Sequence, residues 1–96
     1  ESSIFKRDGA DIYVTKTISF GLAALGGQIS IPTPDSSTIN LKVKPGTQSE
    51  TLIRVRGKGA PVLNSRSRGD LYIKITVSIP TRLSLRQKKL IKELEL

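Results

Sequence analysis

The protein is a chain of 96 residues with a formal net charge of +8, 36% hydrophobic and 25% charged residues. That length suits one domain with a modest core, and the composition is that of a folded soluble chain rather than a disordered one. The absence of His and Cys excludes a disulfide scaffold, thiolate or imidazole metal sites, and nucleophile–histidine catalysis.

Ile12, Val14 and Ile18 fall on one parity, interrupted by Lys16, and predict a half-buried strand. Phe20 to Leu25 is rich in Ala and Leu and is followed by Gly26 and Gly27, which predicts a helix of one or two turns. Ile29 and Ile31 form a short alternating pair that runs into Pro32 and Pro34. Proline cannot donate to a ladder, so this segment reads as the end of an edge strand, where an extended peptide can pair. Ile39, Leu41 and Val43 predict another strand, and Ile53 with Val55 a further one. Leu71, Ile73, Ile75, Val77 and Ile79 give the longest period-two run, stopped by Pro80.

The last element is a helix of about residues 84–95, opened by a capping box formed by Ser84 and Gln87. Leu83, Gln87, Leu90, Ile91 and Leu94 lie near one face, with Arg86, Lys88, Lys89 and Lys92 largely elsewhere. This stripe is expected to pack on the strands or on a neighbouring subunit. The fold class expected is mainly β: a small two-sheet β-sandwich, rather than a parallel sheet, with one short internal helix and a C-terminal amphipathic helix. The abrupt ends suggest that residues 1–96 are a single domain from a longer protein.

The candidate reactive groups all have plain structural readings. Gly57-Lys58-Gly59 feeds Ala60-Pro61 rather than a helix, so it reads as a turn and not as a phosphate loop. Asp8 and Asp11 flank a turn, where Asx side chains bond local backbone, and Asp70 follows Gly69 at a strand start. Ser19 and Ser65 lack the usual base. Lys42 and Lys44 alternate with core candidates, as do Arg54 and Arg56, and read as the solvent face of strands. The charge invites nucleic acid as a partner, but two Tyr and two Phe leave few platforms for stacking bases.

Five clusters recur in order between the apolar runs: Phe5-Lys6-Arg7-Asp8-Gly9, Ala24-Leu25-Gly26-Gly27, Pro45-Gly46-Thr47-Gln48, Gly57-Lys58-Gly59 and Arg68-Gly69-Asp70-Leu71. This order resembles the second C-terminal β-domain of DnaJ-type co-chaperones, over nearly the whole chain. The resemblance implies a non-enzymatic module of a co-chaperone that binds unfolded polypeptide and delivers it to a DnaK-type ATPase. It also implies homodimers paired through segments beyond this chain. By analogy with the sister domain, client contacts are expected on Ile18, Phe20, Ile29 and Ile31. The apolar stripe of the last helix places helix packing or dimer contacts on Leu90, Ile91 and Leu94. The family's J-domain carries a His-Pro-Asp tripeptide and its zinc insert Cys-x-x-Cys pairs; neither is present, so no cofactor is expected here and zinc belongs elsewhere in a full-length protein. Where the family usually has an Asp-Gly hairpin this chain has Asp35-Ser36-Ser37. The compartment implied is cytoplasmic or mitochondrial. The competing expectations are a spacer that sets dimer geometry and a basic nucleic-acid-binding domain.

Overall fold

A computed structural model describes residues 5–95. Eight elements follow in chain order: β1 (Phe5–Asp8), β2 (Asp11–Ser19), α1 (Phe20–Leu25), β3 (Gly27–Pro32), β4 (Thr38–Val43), β5 (Thr51–Val55), β6 (Leu71–Ser78) and α2 (Leu85–Leu94). They form a four-stranded sheet in the order β1-β2-β6-β5 and a two-stranded sheet of β3 and β4. The mainly β, two-sheet architecture with a short internal helix and a C-terminal helix is the one expected from the sequence.

The central pairing was not expected. β2 and β6 run parallel, from Ile12↔Leu71 to Ser19↔Ser78. Alternation encodes which face a strand buries but not the direction of its neighbour, so this crossover is silent in the pattern. The register places Ile12, Val14 and Ile18 beside Leu71, Ile73 and Val77 on the inner face. Ile31 and Val43 from the second sheet complete a core with Ile73 and Ile75. Lys16 occupies the inner parity beside Ile75 and is only half-buried. The β6 run ends one residue early: Ile79 lies outside the strand and is 66% exposed.

Two glycines in the recognised clusters are required by close approach. A Cβ on Gly59 or Gly69 would collide with the Ala10 carbonyl oxygen, which is backbone and cannot yield. The amide of Ala60 donates to that same oxygen at 2.8 Å, and Gly69 donates to the Ala60 carbonyl at 2.8 Å. The Gly57-Lys58-Gly59 segment is therefore a packed turn. Asp11 acts differently from the local turn-former expected. Its Oδ1 accepts from the Asp70 amide at 2.8 Å, across the parallel pair. Asp70 in turn accepts from the Gly57 amide at 3.1 Å and from Arg54 Nε at 2.7 Å. These bonds, the Gly57 amide first and then Arg54, hold the Asp70 carboxyl below its ordinary value.

The Asp35-Ser36-Ser37 turn is built without glycine. Ser36 takes the left-handed conformation at φ 70°. Asp35 accepts hydrogen bonds from the Thr33 and Ser37 hydroxyls and from the Ser37 amide at 3.2 Å. Those donors, the Thr33 hydroxyl foremost, hold its carboxyl well below the usual carboxylate range.

α2 begins as its sequence dictates. The Ser84 hydroxyl accepts from the Gln87 amide at 3.1 Å while Gln87 Oε1 accepts from the Ser84 amide at 2.8 Å. Its apolar stripe does not pack fully on the strands, as one expectation held. No described residue of α2 is buried, Leu90 is 52% exposed and Leu94 68%. The helix extends the molecule, which measures 59 × 23 × 20 Å.

Candidate functional site

The surface chemistry centres on Phe20, and local structure explains its position. Ser19 ends β2 and caps α1, its hydroxyl accepting from the Leu22 amide at 3.1 Å. Gly26 closes α1 after six residues at φ 83°, a conformation that favours glycine, with its amide donating to the Leu22 carbonyl at 2.8 Å. The carbonyl of Ala23 then accepts from the amides of Gly46 and Thr47 at 2.9 and 3.0 Å, tying the Pro45-Gly46-Thr47 turn to the helix. Phe20, at the first position of this clamped helix, remains 36% exposed.

Two adjoining clefts share Phe20 as a wall. One, of about 350 Å³, is lined by Phe20, Ala23, Thr47, Gln48, Val77 and Ile79 among others. The second, of about 240 Å³, runs between Phe20 and the start of α2 and is lined by Pro80, Leu83, Leu90 and Ile91. Their walls are mostly apolar, so they suit aliphatic or aromatic side chains of an extended chain. β3 pairs with β4 on one side only, which leaves a backbone edge open.

The residues expected to contact a client divide into two groups. Ile18 and Ile31 are buried in the core and lie beneath the surface. Phe20 and Ile29 reach solvent, Ile29 being half-buried, but Ile29 lines neither Phe20 cleft. Of the helix residues, Leu90 and Ile91 meet Phe20 across the second cleft, and Leu94 lies further along α2. Ile79, Thr47 and Gln48 were missed; the signal for Ile79 was its position next to Pro80, where the strand must stop.

Other chemistry finds no constellation. Ser19 is used as a helix cap, and the Ser65 hydroxyl bonds Ser67 at 3.0 Å. Among the described residues no group of His, Cys, Asp or Glu is placed to hold a metal ion, and no helix is long and apolar enough to cross a membrane. Tyr13 and Tyr72 stack on each other, with centroids 4.9 Å apart and an interplanar angle of 12°, so each covers a face of the other.

Comparison with known proteins agrees with the order of turns. Residues 1–80 match the family model described as the DnaJ C terminal domain. The chain is 48% identical over 92 residues to the chaperone protein DnaJ of Caldicellulosiruptor saccharolyticus, covering 96% of this chain and 24% of that protein. It is 46% identical over 95 residues to the DnaJ of Acetobacter pasteurianus, covering 99% of this chain and 25% of the relative. With the DnaJ of Brevibacillus choshinensis it shares 47% over 90 residues, 94% of this chain and 24% of the other. The chain thus spans about a quarter of the length of these relatives. Its turn clusters, its two sheets and these matches agree: the chain belongs to the DnaJ C-terminal domain family.

Proposed function

We propose that this chain is a client-holding β-domain of a DnaJ-type co-chaperone, a binding module rather than an enzyme. The observation that carries this reading is the pair of apolar clefts that meet at Phe20. An unfolded polypeptide presents exposed aliphatic and aromatic side chains, and these clefts offer apolar walls with one exposed ring between them. The relatives are named chaperone proteins, which supports the client-holding role; we infer delivery of the bound chain to a DnaK-type ATPase in a full-length protein from membership of the DnaJ C-terminal domain family. In this reading Phe20 contacts the client and Ile29 offers a second contact near the β3 edge, while the buried Ile18 and Ile31 support the surface from below.

A second role follows from α2. Its stripe of Leu90 and Leu94 stays exposed, which suits a helix that positions a paired protomer. Two paired protomers raise the effective concentration of one client-binding surface for a client already held by the other. Isothermal titration with an unfolded hydrophobic peptide tests the first role. Binding that weakens in Phe20→Ala supports it, and a wild-type chain that gives no heat at any peptide concentration removes it.

A further inference from the structure

The chain holds two tyrosines and no tryptophan, which by count alone leaves little for a base to stack on. The fold brings both tyrosines side by side. Tyr13 of β2 and Tyr72 of β6 are register partners on the outer face of the four-stranded sheet, opposite in parity to the buried Val14 and Ile73. Their ring centroids lie 4.9 Å apart at an interplanar angle of 12°, one strand spacing, so the rings face each other across the strands. Each keeps a second face, that of Tyr13 toward β1 and that of Tyr72 toward β5. The same register places Lys6 beside Tyr13 and Arg54 beside Tyr72. A cleft of about 640 Å³ lies over this face, lined by Lys6 and Arg7 from β1 and by Lys74 and Leu52 from β6 and β5. Asp8 is the one acidic residue among the described residues that line it. Lys6 and Arg7 form no ion pair among the described residues, while Lys74 meets Glu50 at 2.8 Å and Arg54 meets Asp70 at 2.6 Å. Thr15, Leu52 and Lys74 are exposed, so no described element covers the face.

We propose that this face binds single-stranded nucleic acid without sequence preference. Every base has a π-face, and unpaired bases can continue the tyrosine stack at either end. Lys6, Arg7 and Lys74 then stand beside the rings to neutralise backbone phosphates, and the net charge of +8 favours the encounter. A duplex fits less well, because its base faces are already stacked on one another. An acidic protein segment would satisfy the same cations, but carboxylates gain nothing from two ring faces whose quadrupole is itself negative. The cleft shares no residue with either Phe20 cleft, and the proposal does not rest on the client-binding reading.

With no tryptophan in the chain, Tyr13 and Tyr72 are its own fluorescent reporters. The test is titration of the 96-residue chain with a deoxythymidine oligonucleotide, read by quenching of tyrosine emission and by anisotropy of a labelled oligonucleotide. Comparison probes are a duplex of the same length, an abasic oligomer of the same phosphate count, and polyglutamate. Saturable quenching is expected at low salt, with log affinity falling against log salt at a slope of about −2, as three phosphate contacts to a single strand dictate. Tyr13→Leu/Tyr72→Leu keeps apolar side chains over the sheet and should weaken binding about tenfold or more. Tyr13→Phe/Tyr72→Phe keeps both rings and should retain most of the affinity. Lys6→Ala/Lys74→Ala should flatten the salt slope with little change in melting temperature, both side chains being exposed. The proposal is overturned by absence of binding at low salt, or by equal affinity in the leucine variant. Equal or tighter binding of the duplex, the abasic oligomer or polyglutamate overturns it as well.

Discussion

The carboxylate of Asp11 accepts a hydrogen bond from the amide of Asp70 at 2.8 Å, joining residues 59 positions apart where the two central strands begin. This bond locks the start of the parallel pair and sets Asp70 to receive Arg54 and the Gly57 amide. Asp11→Ala leaves that amide without its acceptor and is expected to cost about 1–2 kcal/mol in denaturant unfolding. Asp11→Asn, which keeps an acceptor oxygen, should cost less. Equal losses in the two variants would show that the bond contributes little.

Acid should weaken the fold in a defined direction. Asp70 and Asp35 both titrate below their ordinary value in the folded state, the first chiefly through the Gly57 amide and the second chiefly through the Thr33 hydroxyl. A carboxyl depressed on folding contributes stability that is full above its unfolded value, near pH 4, and is lost as pH falls through the folded value. Denaturation midpoints are therefore expected to hold from about pH 7 to about pH 5 and to decline below about pH 4. Asp35→Asn and Asp70→Asn should each flatten that decline. An unchanged slope in both variants would contradict the assignment.

The core and the turn at Ala10 make separate stability predictions. Ile75 is fully buried between the sheets, so Ile75→Ala should cost about 2–5 kcal/mol. Gly69→Ala adds only a methyl group, yet it strikes backbone at Ala10 and should destabilise more than Gly21→Ala, whose added Cβ meets nothing within 4 Å. Thermal melts of the two glycine variants give the comparison directly. A Gly69→Ala melt no lower than that of Gly21→Ala would overturn it.

These outcomes show which features the sequence carries openly. The run from Leu71 to Val77 announces a strand because every second side chain must be apolar to reach the core. Ser84 and Gln87 announce a helix start because both groups needed for reciprocal capping stand three residues apart. The direction of β6 relative to β2 is carried by no residue type, and β1, with Phe5 as its apolar residue, has no alternation to read. Of the site, Phe20 and Ile29 were legible as apolar residues beside punctuation. Ile18 and Ile31 share that pattern yet are buried, because parity alone does not distinguish a groove wall from a core wall. The meeting of Tyr13 with Tyr72 depends on the parallel register of two distant strands, which local spacing cannot reveal.

Removing the cap should separate α2 from the rest of the fold. Ser84→Ala is expected to lower helix stability by about 1 kcal/mol while leaving the sheets intact. Hydrogen exchange is the suited measurement: amides of Gln87 to Ile91 should lose protection and those of Leu71 to Val77 should keep theirs. Uniform loss across both would mean that the helix and the sheets unfold as one unit.

The most direct measurement is an NMR titration of the chain with an unfolded hydrophobic polypeptide. Shifts are expected to concentrate at Phe20, Thr47, Gln48, Val77 and Ile79, the walls of the first cleft, and to extend to Leu83, Leu90 and Ile91. Absence of shifts at saturating peptide, or shifts confined to the Tyr13–Tyr72 face, would contradict a client-holding surface built around Phe20.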